Sequence, residues 1–410
     1  MPADTRAASI GQGDGGRGPR VDWIANARLP SRRAQGLQVV RMAGALAGCG
    51  AQVRLLHAER HPTPSLPPGV SLFENYGVTA QPQPQVLAVP CWDYIDRTPS
   101  RLQYLPARLQ ELTFARNAAR AVQAAGTGLV LTRELETARH LVRAGHRGTF
   151  LELHRVPGGR TRTRWLREAL AGVRGAIAIS GGVAEDLVAL GLDGDRLLIE
   201  HDAADLAPFD GRTTRAAARS RLGVGTESPL VVYAGSLLPW KGVEILIDAA
   251  GFLPEVEFLV AGGSPEEVER LARRSQGSGN IRLDGHQDPT RIPDYLIAAD
   301  VFCVPNRSQP AISARYTSPL KVFEAMASGV PMVVSDLPSL RDILHGDEAE
   351  FVAPDSATAL AAGIRTLVED PHRRYQMSKR LRIRAPKHSW EGRARRILNW
   401  METRVEGGAA

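Results

Sequence analysis

Short apolar runs alternate with stretches of helical periodicity along most of this chain. VDWIAN (21–26), QVRLLHA (52–58), GLVLT (128–132), GTFLEL (148–153), GAIAIS (175–180) and RLLIEH (196–201) are the runs of the first half. The second half repeats the habit with SPLVVYAG (228–235), VEFLVAGG (256–263), IRLDG (281–285), DVFCVP (300–305) and VPMVVSD (330–336), each followed by a helical segment. Strands separated by helices of about ten to fifteen residues predict βαβ units and parallel sheets, because a parallel crossover needs a helix-length connection. At roughly 100 to 200 residues per domain, a chain of 410 residues is expected to form two doubly wound domains. Pro208, Gly211, Gly223 and Gly225 flank a short Arg/Ala helix in 205–229, which marks the boundary. The expected plan is therefore a tail at 1–20, a first domain at 21–204 whose first helix runs from about Gly36 to Gly48, and a second domain at 205–385. The tail is glycine-rich with little apolar surface, and disorder is expected there. A last helix within 386–410 places Trp390, Ile397, Leu398 and Met401 on one face and is expected to cross back onto the first domain.

Composition adds one unusual number. Of 51 basic side chains only four are lysine (Lys241, Lys321, Lys379 and Lys387), leaving 47 arginines against 44 acids and a formal charge of +7. The arginines are spread over the whole length, which predicts a solvated basic surface rather than a nucleic-acid face, where positive charge clusters. Cys49, Cys91 and Cys303 are odd in number and far apart, matching neither a disulfide framework nor a zinc pattern. No run approaches the ~18 apolar residues that cross a bilayer, and the first twenty residues lack the apolar core of a signal peptide. A cytoplasmic location is the expectation.

Two of the four lysines stand at strand-to-helix openings, where parallel sheets bind ligands. In VVYAGSLLPWKGVEILIDA (231–249) a strand runs into Gly235, and Lys241-Gly242 opens a helix without the Walker or dinucleotide glycine pattern. In YTSPLKVFEAMASGVPMVVSD (316–336), Ser318 is the expected N-cap and Pro319 the first helical residue. The free N–H groups of Leu320, Lys321 and Val322 then face any anion at the helix start. Lys321 opposes the helix dipole there by ~0.3 to 1 kcal/mol, so an anionic ligand is expected beside it. Glu324, one turn on, is placed to accept hydroxyls.

These stretches together resemble the donor-binding half of the GT-B glycosyltransferases of the retaining family-four (GT4) type, in the version that carries TSPLK. The resemblance extends to NARLPSRRAQGLQ (26–38), FLELH (150–154), IAISGGVAEDL (177–187) and SWEGRARRIL (389–398). It implies an α/β protein with two Rossmann-like domains facing a cleft. It further implies sugar transfer from a UDP- or GDP-sugar, with no cofactor and no metal. Lys241 would neutralise the diphosphate, with the N–H groups of Leu320 and Lys321, and Gly235, Ser236 and Ser318 would lie in the same pocket. Glu324 would accept the ribose hydroxyls, while His286 and Gln287 would hold the base through their backbone. Gly36 would admit the donor from the first domain. His154 would reach the transferred sugar and share catalysis with Lys241, and Arg28 and Gln38 would line the acceptor side.

Two positions depart from the family pattern. The first of its two glutamates, eight residues before Glu324, is Tyr316, and the arginine that often accompanies the phosphate lysine is Ser236. Neutralisation would then rest on Lys241 with Lys321 or with Arg315. The triplet Asp193-Gly194-Asp195 looks like a metal-binding DxD but sits where a helix-to-strand turn is predicted, and turn chemistry is the preferred reading. Segment 101–122 places Leu105, Leu109 and Leu112 at helical spacing among arginines; packing on the first domain is expected over lying on a membrane. The expected acceptor is a small soluble molecule of antibiotic-type biosynthesis. Alternatives are a lipid-linked or polysaccharide glycan, an epimerase or hydrolase of the same fold, and a non-enzymatic binder of nucleotide-sugars or nucleic acid.

Overall fold

The computed structural model describes residues 18–31, 34–79 and 82–406. Residues 1–17 of the expected tail, and 407–410 at the end of the last helix, lie outside the described residues. Ordered strand begins at Arg20, one residue earlier than expected.

The chain divides into two compact units. The first comprises residues up to Ile177, Leu187–Leu198 and those from Ala394 on; the second comprises Ala178–Asp186 and Ile199–Arg393. The first is built on seven strands: β1 (Arg20–Ala25), β2 (Gln52–Glu59), β3 (Gln85–Pro90), β4 (Leu129–Thr132), β5 (Thr149–Leu153), β6 (Gly175–Ala178) and β7 (Leu197–Ile199). They lie in the order β3-β2-β1-β4-β5-β6-β7, with β1 parallel to both β2 and β4. Ile24, Leu56 and Val130 of the strands pack on Phe114, Ala118 and Val122 of helix Tyr104–Ala125, all buried. Helix Ala34–Gly48 is pinned to the sheet where the Trp23 indole N–H donates to Val39 O at 3.0 Å. From Ala394 on, helix Trp390–Glu406 counts with this unit: the Trp400 ring meets Phe150 edge-on at 5.4 Å, and Ile397, Leu398 and Met401 are buried. Asp193-Gly194-Asp195 forms a tight turn in which the Asp193 carboxylate accepts the Asp195 N–H at 3.0 Å.

The second unit carries β8 (Leu230–Ala234), β9 (Glu257–Ala261), β10 (Ile281–Gly285), β11 (Val301–Val304), β12 (Met332–Ser335) and β13 (Glu350–Val352), in the order β10-β9-β8-β11-β12-β13. All their pairings are parallel, and Val231, Val232, Leu259, Phe302 and Val333 form a fully buried layer under Phe323 and Met326. Helix Arg215–Leu222, capped by Thr214 and ended by Gly223, is more than connecting chain. Its Arg219 is fully buried, paired with Asp300 at 2.8 Å and donating to the carbonyls of Gly225, Thr226, Ser228 and Ala298. β3 and β13 are the strands that the apolar runs did not predict. Both are edge strands, and neither shows the continuous burial of the inner ones.

Candidate active site

In the second unit the strand order reverses between β8 and β11, and the crevice beyond the carboxyl ends of these strands is where such sheets take ligands. The loop after β8 reaches that point through Gly242, whose φ is 71° and whose missing Cβ would sit 1.8 Å from the Pro305 carbonyl just past β11. No other residue fits, and the contact fixes Lys241 beside the switch point. The Lys241 side chain is buried, its ammonium 3.8 Å over the Trp240 ring, and burial pushes its pKa down to about 8.

Lys321 arrives from helix Leu320–Ser328. Its Nζ lies 3.7 Å over the Tyr233 ring and is a buried atom without a hydrogen-bond partner among the described residues. Gly235, at φ 140°, makes the room: a Cβ there would be 2.9 Å from that Nζ. Burial first, and the Lys241 charge second, hold the Lys321 ammonium well below its usual range, with Glu324 opposing them. The Tyr233 hydroxyl donates to Ser236 O at 2.6 Å, and burial pushes it up. Two buried ammonium groups, one of them depressed further by the charge of the other, are costly unless an anion joins them. Strongly perturbed groups of this kind, gathered at a ligand crevice, mark functional sites.

The helix opening differs from its expected form. Pro319 is the N-cap, and the Ser318 hydroxyl turns away to accept the Asp202 N–H at 2.9 Å. Val322 N–H closes on Pro319 O at 2.9 Å, so the donors left at this end are Leu320 and Lys321. Glu324 is half-buried on the same face, three residues after Lys321. Past β10, His286 is exposed, while the Gln287 amide folds back onto Asp284 O at 2.7 Å. Arg315 is committed elsewhere: it pairs with Glu185 at 2.8 Å and Asp186 at 3.4 Å. Tyr316, eight residues before Glu324, donates its hydroxyl to Asp186 at 2.7 Å. A carboxylate therefore does stand at this position, delivered by helix Gly181–Ala189 from 130 residues away in sequence.

In the first unit the order reverses between β1 and β4. There His154, just past β5, is held on both ring nitrogens. Arg133, just past β4, approaches Nδ1 at 3.1 Å and the Glu152 carboxylate meets Nε2 at 2.8 Å. Arginine only donates, so Nδ1 is the acceptor, and Nε2 carries the proton that is given to Glu152. Arg133 also donates to Gln38 at 3.3 Å and lies 3.8 Å from Glu152. Next to Arg133, Glu134 accepts the Asn26 N–H at 2.9 Å, and burial pushes its carboxyl up to about 7. Arg28 is tied to Asp96 and lies 3.7 Å from Asp93. The space Gly36 leaves is filled from within: a Cβ there would be 2.8 Å from the Tyr76 hydroxyl, which bonds the Ser31 backbone. Sequence reasoning missed Arg133, Glu134 and Glu152. Glu152 had a signal, since a strand residue two before His154 points to the same face.

Residues 228–370 match the family described as glycosyl transferases group 1. Over 258 residues the chain is 29% identical to the D-inositol 3-phosphate glycosyltransferase of Xylanimonas cellulosilytica, covering 60% of each protein. Over 294 residues it is 28% identical to the phosphatidyl-myo-inositol mannosyltransferase of Mycolicibacterium smegmatis, covering 69% of this chain and 67% of that one. The chain thus spans about 60% of the length of the first of these relatives. Among solved structures it resembles the sucrose-phosphate synthase of Thermosynechococcus elongatus, with TM-score 0.73, 20% identity and coverage of 96% of this chain and 100% of that one. It also resembles the Anabaena protein HepE in complex with UDP, with TM-score 0.70, 17% identity and coverage of 94% and 100%. These structures share the fold, which is GT-B.

Proposed function

We propose that the protein is a retaining glycosyltransferase that takes a sugar from a nucleoside-diphosphate donor bound by the second unit. The observation that carries this reading is the pair of buried ammonium groups, Lys241 and the unpartnered Lys321, at the switch point of the matched segment. Breaking a sugar–diphosphate bond leaves negative charge on the departing phosphate. Preorganised cations and N–H donors in a site shielded from water stabilise that charge as it develops. Lys241, Lys321 and the first N–H groups of helix Leu320–Ser328 supply this set. Glu324 accepts the ribose hydroxyls, the backbone around His286 and Gln287 flanks the base, and Asp186 with Tyr316 takes the place of the family's first glutamate toward the sugar. His154, oriented by Arg133 and Glu152, is the catalytic candidate of the first unit.

The acceptor is better read from the relatives than from the arginines. Their names speak of inositol phosphate and phosphatidylinositol, and none speaks of an antibiotic-type product. A polyol phosphate or a lipid headgroup is accordingly the acceptor class we assign. A thermal-shift screen with UDP, GDP, ADP and TDP tests the donor half, since a ligand that binds only the folded state raises stability by about 2.7 kcal/mol at a hundred times its Kd. One nucleotide is expected to shift the transition, with UDP the first to try. Its sugar should then be consumed much faster with an inositol phosphate or phosphatidylinositol present. Donor consumption at the same rate without acceptor would identify a hydrolase, and no shift with any nucleotide would contradict the reading.

A further inference from the structure

Helix Tyr104–Ala125 is packed only along its second half. Phe114, Ala115, Ala118, Ala119 and Val122 are buried, whereas Tyr104 and Leu105 are each 74% exposed, and Leu109 and Leu112 are exposed as well. The sequence expectation of a helix packed on the first domain therefore holds for only part of it. Leu105, Leu109, Leu112 and Arg116 follow one another at i, i+4, i+7 and i+11, so one stripe of the helix carries three leucines and then an exposed arginine. The chain before the helix adds Leu102, Tyr94 and Trp92, the last 64% exposed and held beside the stripe where its backbone N–H donates to Thr113 Oγ1 at 3.0 Å. Seven of the fifteen large hydrophobic side chains exposed among the described residues thus fall within 92–112.

The charges around this face have one sign. Asp93, Asp96 and Glu111 are paired to Arg60, Arg28 and Arg108 respectively. Arg97, Arg101, Arg116 and Arg120 are exposed, with no ion-pair partner among the described residues. Apolar side chains of this size standing in water cost free energy, and a face rimmed by unneutralised arginines repels another basic surface of the same chain. Tyrosine and tryptophan beside leucines and arginines is the composition that settles at the boundary between headgroups and acyl chains. No helix of the described residues is long and apolar enough to cross a membrane, so the contact is parallel to the surface.

We propose that residues 92–120 form a docking face for an anionic phospholipid bilayer, with Trp92, Tyr104, Leu105 and Leu109 entering the interface and Arg97, Arg101, Arg116 and Arg120 meeting the lipid phosphates. This assignment does not rest on the donor reading, since Lys241 and Lys321 belong to the other unit.

Co-sedimentation of the full chain with phosphatidylcholine vesicles, with and without phosphatidylglycerol, tests it. The protein is expected to sediment with the anionic vesicles, with an affinity at least about tenfold above that for neutral ones, and to be released by salt. Arg116→Gln and Arg120→Gln should each lower binding about fivefold. The combined Trp92→Ser, Leu105→Gln and Leu109→Gln variant should abolish it while keeping the thermal transition and nucleotide response of the parent. A protein that stays in the supernatant with anionic vesicles overturns the proposal. So do variants that sediment like the parent, or a solution dimer that these same substitutions dissolve. Loss of nucleotide binding with lipid binding intact would instead strike at the donor reading alone.

Discussion

Lys241→Ala is expected to weaken nucleoside-diphosphate binding by ~2 to 5 kcal/mol, the range for removing one partner of a desolvated charge pair. That is a rise in Kd of about 30- to 4,000-fold, read by calorimetric titration of the nucleotide that stabilises the protein. The size follows from the surroundings of the side chain. Lys241 is buried on the Trp240 ring, and Gly242 locks its backbone against Pro305, so its charge is shielded from water. Arg315 is no substitute, being committed to Glu185 and Asp186. Arginine at both lysine positions should also fail, because each buried ammonium lies against a ring, 3.8 Å over Trp240 and 3.7 Å over Tyr233, and the larger planar guanidinium would have to fit the same enclosed space. Full activity in that double variant would show that lysine identity has no functional meaning, and unchanged nucleotide affinity in Lys241→Ala would remove Lys241 from the site.

His154→Ala is expected to lower turnover by roughly 10²-fold or more, the effect of losing one polar contact made in the transition state, while nucleotide affinity stays within about twofold of the parent. The split between the two readouts is the informative part. His154 sits in the first unit and is oriented by Arg133 and Glu152, whereas the diphosphate lysines sit in the second. A purely structural histidine would lower thermal stability and both readouts together. Glu152→Gln provides the companion measurement. It keeps the bond to Nε2–H and removes the charge, so turnover should fall less than in His154→Ala. Unaltered turnover in His154→Ala would end its assigned role.

How much of this was legible in the chain depended on whether the signal was local. The inner strands are continuous apolar runs, and they stand where the runs predicted them. β3 and β13 are edge strands with mixed burial, and nothing local distinguishes such segments from loop. Lys241 and Lys321 stood out because the composition otherwise writes basic residues as arginine, and the structure places both at strand-to-helix openings of one sheet. Partners supplied by distant elements were not readable. The carboxylate beside Tyr316 comes from Asp186, and the partner of Ser318 is the N–H of Asp202, more than a hundred residues away. Ser318 shows how a correct local rule loses to tertiary structure: its hydroxyl suits an N-cap, but a buried N–H needed an acceptor more, and Pro319 took the cap position. Gly36 is a similar case, since its missing side chain makes room for Tyr76.

If the two buried lysines of the second unit receive a diphosphate, its binding is linked to their protonation. Burial holds Lys241 down to about 8 and, with the Lys241 charge, holds Lys321 well below its usual range. Above pH 8 a diphosphate is already fully ionised, its second pKa lying near 6. An anion placed between the lysines favours their charged forms and raises both pKa values, so binding must draw protons from the buffer. Calorimetric titration of UDP, or of whichever nucleoside diphosphate stabilises the protein, in two buffers of different ionisation enthalpy at pH 8 to 9 measures that uptake. The account predicts net proton uptake, affinity that falls as pH rises above about 8, and a smaller uptake in Lys241→Ala. Binding with no proton exchange and a flat pH dependence, identical in parent and variant, would contradict it.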